Sequence, residues 1–137
     1  MTIDEQLIKF ETDHNLIIPG DLKEYFRSSN IKSLNDYSDF LFEFYGIDEF
    51  KSVKDEVGDY GGIPDYRNIV NVLPQHENCF VFAEYMIHSG VYAIRLFKDR
   101  ADKNEVYAII GSEYKQVADS FTEFIILYKD RGESIYF

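Results

Sequence analysis

The chain has 137 residues, a formal net charge of −11, and a composition that is 45% hydrophobic and 17% aromatic. Such a chain suits one folded domain that buries its own core without a metal or disulfide staple, and a disordered chain is excluded. The surplus of acids repels phosphate, which argues against direct binding of nucleic acid or anionic membranes and favours a basic partner.

The charge is uneven. Residues 1–66 hold 15 acids and 6 bases, a net of −9, whereas residues 67–137 hold 10 acids and 8 bases, a net of −2. Solubility alone would also account for a surplus of this size. Cys79 is the single cysteine. It has no partner for an internal disulfide and suits a reducing cytoplasm as a small apolar side chain. The start, Met1-Thr2-Ile3-Asp4-Glu5, carries acids where a signal peptide carries bases, and apolar runs such as 124–128 are far below membrane-spanning length. The expectation is a cytoplasmic protein.

In chain order, Thr2 and Glu5 have the spacing of a capping box and predict a helix over Ile3–His14, with Ile3, Leu7 and Phe10 on its apolar stripe. Pro19 breaks it. Gly20-Asp21 opens a second helix, with Asp21 as the expected N-cap and Leu22, Tyr25 and Phe26 as its packing face, ending near Ser29-Asn30. Residues 39–45 alternate and predict a strand with Phe40, Phe42 and Phe44 on one side. Residues 48–57 are expected to form a short acidic helix held by Ile47, Phe50, Val53 and Val57. Residues 58–66, with three glycines and a proline, form the most loop-like segment. Residues 68–73 predict a short strand stopped by Pro74.

The centre of the fold is residues 79–110. Three segments rich in Phe, Tyr, Val and Ile, at 79–85, 91–97 and 105–110, are joined by short polar connections and predict an antiparallel meander. In the middle strand Tyr92, Ile94 and Leu96 share one face. The other face is also apolar but for Arg95, so something must cover it, and the helical ends of the chain are the expected cover. Ser120 and Glu123 repeat the capping-box spacing and open a last helix over 121–130, with Phe121, Phe124, Ile125 and Tyr128 inward.

No catalytic or cofactor motif emerges. His14, His76 and His88 are scattered, and His76 with Cys79 is half a zinc site. There is no Gly-x-Ser-x-Gly elbow, and the glycines at 58, 61 and 62 lack the Lys-Ser/Thr of a phosphate loop. The expectation is a protein without enzymatic activity, metal or cofactor. More informative is the crowding of Glu43, Asp48, Glu49, Asp55, Glu56, Asp59 and Asp65 around Tyr45, Tyr60 and Tyr66. Tyrosine offers contact area at low rotamer cost and acids offer steering, a mixture that suits recognition of a basic protein. An ordinary solvated helix and loop would use the same residues. The expected contact surface is Asp48, Glu49, Asp55, Glu56, Asp59, Tyr60, Asp65 and Tyr66, with Glu84 near the end of the sheet.

The order of segments resembles a known family. Phe10-Glu11, the stretch Leu16-Ile17-Ile18-Pro19-Gly20-Asp21-Leu22 leading to Ser29-Asn30, Tyr92-Ala93-Ile94-Arg95-Leu96, and Ala118-Asp119-Ser120-Phe121-Thr122-Glu123-Phe124-Ile125 are similar to the pattern of the SUKH superfamily. Ile18 stands where Leu precedes the proline in that pattern, Ile31 where Gly follows the Asn, and no tryptophan is present. The resemblance implies a single-domain α+β fold spanning 1–137, a mostly antiparallel or mixed sheet with a central meander, and helices packed against it at both chain ends. It also implies a cytoplasmic, non-enzymatic immunity protein, monomeric or homodimeric, that binds and neutralises a cognate secreted toxin, a basic nuclease being the expected kind. A regulatory or scaffold module of the same superfamily is the alternative, and a carboxylate-dependent hydrolase a remote one.

Overall fold

A computed structural model describes residues 1–28, 42–86, 89–130 and 135. Helix α1 (Ile3–His14) begins where Thr2 Oγ1 accepts the Glu5 N–H at 3.1 Å and ends at Asn15, whose left-handed φ of 53° turns the chain. Glu11 then accepts the Ile18 N–H at 2.8 Å and pairs with Lys23 at 3.3 Å, which fixes the approach of α2 (Gly20–Arg27). Asp21 does not cap α2, whose N-cap is Pro19. Its carboxylate accepts the neighbouring Leu22 N–H through Oδ1 at 2.8 Å, and through Oδ2 the Thr122 N–H at 2.9 Å and the Thr122 hydroxyl at 2.7 Å, so it also satisfies the start of the last helix, α5 (Phe121–Lys129).

The sheet is antiparallel throughout and contains six strands: β1 (Phe42–Phe44), β2 (Lys51–Ser52), β3 (Cys79–Tyr85), β4 (Gly90–Arg95), β5 (Val106–Ile110) and β6 (Glu113–Ala118). Their order is β1-β3-β4-β5-β6, and β2 also pairs with β3, so β1 and β2 share one edge. The expected meander is present, with its second and third strands trimmed to 90–95 and 106–110. Of the strand expected over 39–45, residues 42–44 form β1 and 39–41 lie outside the described residues. The sheet ends in a strand not expected from the sequence, β6, which is polar and lies at its edge.

Three further expectations are corrected. Residues 48–57 are not one helix but a 3-10 turn (Ile47–Glu49), then β2, then the short helix α3 (Val53–Val57). Residues 68–73 form a single helical turn, α4 (Ile69–Val72), not a strand. The second face of the sheet is covered by the middle of the chain and not by its ends. Helices α1, α2 and α5 all pack on one face, against Phe80, Phe82, Tyr92 and Ile94. The other face, with Cys79, Val81, Val91, Ala93 and Ile109, is covered by Tyr45, Val53, Val57, Tyr66, Ile69 and Leu73. Helices at both chain ends are therefore present, and the α+β architecture holds with both sheet faces buried.

The first core is aromatic. Phe124 lies 5.2 Å from both Phe82 and Tyr92 between ring centroids and is fully buried, whereas Ile126 on the same helix is exposed. Phe124→Ala should lower the unfolding free energy by about 3–5 kcal/mol. Ile126→Ala should change it by no more than about 0.5 kcal/mol. Urea unfolding checks both, as a shift in midpoint without a change in slope.

Candidate functional site

Strand β1 alternates as its sequence demands: Phe42 and Phe44 enter the aromatic core, and Tyr45 just beyond them turns to the opposite face. The Tyr45 backbone is gripped from α2, where the Tyr25 hydroxyl donates to the Tyr45 carbonyl at 2.7 Å. Its own hydroxyl donates to Glu56 Oε1 at 2.8 Å and stands 3.2 Å from Glu84 Oε2. A phenol has one proton, so it serves one carboxylate at a time. Glu43 lies directly across from Glu84 in the β1–β3 register. Glu56 and Glu84 thus meet at one tyrosine near the sheet's edge, with the exposed Glu43 beside Glu84 on β1.

The nine residues expected to form the contact surface do not share one environment. Asp48 and Glu49 are exposed on the 3-10 turn, whose apolar neighbours Ile47 and Phe50 enter the aromatic core. Glu49 Oε1 accepts the Gly46 N–H at 3.3 Å. Asp55 and Glu56 stand on α3, whose Val53 and Val57 enter the opposite core, and Asp59, Tyr60 and Asp65 follow on the adjoining loop. Asp55, Asp59, Tyr60 and Asp65 are exposed there. Tyr66 is 0% exposed, so it anchors the loop from beneath and is no surface contact. Glu84, 9% exposed, supports the Tyr45 hydroxyl from below and belongs to the same hidden layer. Composition cannot separate an anchoring tyrosine from an exposed one. The signal available was position, because Tyr66 begins the i, i+3, i+7 series completed by Ile69 and Leu73.

Local electrostatics follow from burial and pairing. Burial, with the Glu56 and Glu84 carboxylates alongside, pushes the Tyr45 phenol far above its ordinary range; burial does the same to Tyr25 and Tyr66. Asp65 is held down to about 2 by side-chain and backbone hydrogen bonds from Arg67, whose Nη2 stands 2.7 Å from Asp65 Oδ2. Burial raises the Cys79 thiol to about 12, so it is an inert, packed side chain and not a nucleophile. Among the described residues no group of three or more His, Cys, Asp or Glu side chains is placed to hold a metal, and no helix is long and apolar enough to cross a membrane.

The model of the SMI1 / KNR4 family (SUKH-1) matches residues 3–127, most of the chain. The chain belongs to this family. No curated protein and no solved structure matches it. Several residues that carried the resemblance now have physical roles. Phe10 packs its ring against Phe50 and Phe80 at 5.2 and 5.0 Å, and Glu11 receives the Ile18 N–H. In the closing motif, Ser120 Oγ accepts the Glu123 N–H at 3.0 Å while Phe121 and Phe124 fill the aromatic core. The SUKH-1 pattern in this chain therefore records how the terminal helices are fixed to the sheet.

Two titrations test these assignments. The Asp65 carboxyl should titrate near pH 2 by NMR, and Arg67→Ala should return it towards its ordinary 3.8. The pair's contribution to stability is present above the ordinary value and is lost as pH falls through about 2. For the tyrosines the sign is opposite. The unfolded chain releases their protons near pH 10 and the folded chain holds them, so stability is full below about pH 10 and declines above it. Denaturation midpoints measured together with phenolate absorbance should show a group of tyrosines ionising only as the protein unfolds.

Proposed function

We propose that this SUKH-1 chain is an immunity protein, which binds a cognate secreted toxin domain in the cytoplasm and covers its active surface. The single observation that carries the proposal is family membership over residues 3–127, since the superfamily includes immunity proteins. The charge supports it. A net of −9 in residues 1–66 is complementary to a basic toxin such as a nuclease, and it makes the chain itself an unsuitable ligand for nucleic acid. The role needs no catalysis and no cofactor.

The surface favoured for contact is the layer over the second sheet face, with Asp55, Glu56, Asp59, Tyr60 and Asp65 on its outer side. Asp48 and Glu49, exposed on the preceding 3-10 turn, add to the field that steers a basic partner. Glu84 and Tyr66 hold this layer in place from within.

Co-expression and co-purification with the product of the gene immediately upstream test the proposal. The expected result is an equimolar complex, with loss of the chain harmful only when that gene is intact. No complex and no toxicity would remove the immunity reading and leave a regulatory module of the same family. In the complex, reversal of the exposed Asp55 and Asp59 to Lys should slow association at low salt by about tenfold or more and leave the urea midpoint nearly unchanged. An unchanged association rate would move the contact surface elsewhere.

A further inference from the structure

Charge brings a partner close but does not hold it, and the acidic layer carries a side chain suited to holding. Ile63 is 99% exposed, more than any other large apolar residue among those described. It stands on the loop between Tyr60 and Tyr66, and that loop is pinned. The Tyr66 N–H donates to the Tyr60 carbonyl at 2.9 Å and closes its base. Below it the buried Tyr66 ring meets the Tyr60 ring at 5.7 Å between centroids. A Cβ at Gly62 would come within 2.9 Å of the Tyr60 ring, and one at Gly61 within 3.1 Å of the Arg67 guanidinium, so the backbone is laid directly on both side chains. Arg67 is in turn paired with Asp65. The loop presents an apolar tip on a frame that is already ordered, which lowers the entropy lost on binding.

We propose that Ile63 is the anchor of the contact, and that it inserts into an apolar pocket rimmed by Lys and Arg on a folded basic protein. This rests on the partner-binding reading above and names the residue and the pocket chemistry. The acids decide the occupant. Asp55 and Asp59 precede the tip in a segment, residues 42–66, that holds seven acids and two bases, so a basic rim gains where an acidic one is repelled. A second copy of this chain would bring two such acidic segments together and is disfavoured for the same reason. An apolar centre within a charged rim is the usual arrangement of a strong contact.

The division of labour has a kinetic signature: the acids govern arrival and Ile63 governs departure. The experiment places a photo-reactive amino acid at position 63 of the full chain in its own cells, with controls at Ile8 and Ile126, which are exposed on α1 and α5. Captured protein is identified, purified and measured for binding to the unmodified chain and to Ile63→Ala. Support requires a basic protein captured from position 63, attached at apolar residues. It also requires that Ile63→Ala raise Kd by about 30-fold, through faster dissociation, with the urea midpoint unchanged. A basic partner captured only from the controls, or a Kd that Ile63→Ala leaves unchanged, would overturn the anchor and leave the immunity reading standing. Capture of an acidic protein or of a second copy would overturn the pocket chemistry. No capture from any position would overturn both.

Discussion

The fold depends on one slip in strand β3. Cys79 and Val81 face the second core while Phe80 and Phe82 face the aromatic one, in ordinary alternation. Opposite β4, Val81 pairs with Ala93 and Ala83 with Tyr92, so Phe82 is an extra residue with no partner across the ladder. Such a bulge reverses the phase of every side chain beyond it. Ala83 and Tyr85 therefore join the aromatic side, and Glu84 turns to the other. Without the slip, Glu84 would stand in line with Phe80 and Phe82 and would place a carboxylate among fully buried rings, at a cost no neighbour there could offset. With it, Glu84 meets the Tyr45 hydroxyl at the rim of the second layer.

The second layer follows from that placement. The segment from Tyr45 to Leu73 starts on the β1 edge of the sheet, touches the aromatic core through Ile47 and Phe50, pairs along β3 at Lys51 and Ser52, and then lies over the opposite face. Tyr45 ties the start of this path to α2 and to its middle, because its backbone is bonded to Tyr25 from α2 and its side chain to Glu56 on α3. The acidic segment is consequently fixed to the sheet at its start, along its course, and at Tyr66. The acids on it are therefore held in place by the sheet. That geometry suits recognition by a prepared surface more than folding on contact.

The legible parts of the structure were those where local pattern and burial agree. The meander and the terminal helices follow directly from β-rich segments, short connections and capping residues, and Ser120 and Thr2 cap as their spacing requires. The misread parts are those where one local pattern serves two masters. Ile47, Phe50, Val53 and Val57 have helical spacing, yet the first two enter one core and the last two the other, which no straight helix permits. Ile69-Val70-Asn71-Val72 is β-branched and resembles a strand. The sheet has no place for it, and Ile69 and Leu73, four apart, reach the second core from a single helical turn. Strand β6 escaped notice because an edge strand has polar, partly exposed residues and pairs on one side only. On the candidate surface, the exposed acids were legible as composition. Burial of Tyr66 was carried only by its spacing to Ile69 and Leu73, and that of Glu84 by nothing local, because it depends on the bulge in β3.

The second layer also holds the two shortest α-helices among the described residues. Its helices α3 and α4 span five and four residues, far too short to persist alone in water. They exist because Val53, Val57, Tyr66, Ile69 and Leu73 drop into the face formed by β3, β4 and β5, all nearly or fully buried. Between these anchors, Asp55, Asp59 and Ile63 project outward and contribute nothing to the core. A substitution at such a position changes what the layer presents without changing whether it folds. Anchors and presented residues alternate within the same short elements, so the sheet can keep one architecture while the outer surface is fitted to a particular partner. That separation is built into the spacing of five apolar side chains.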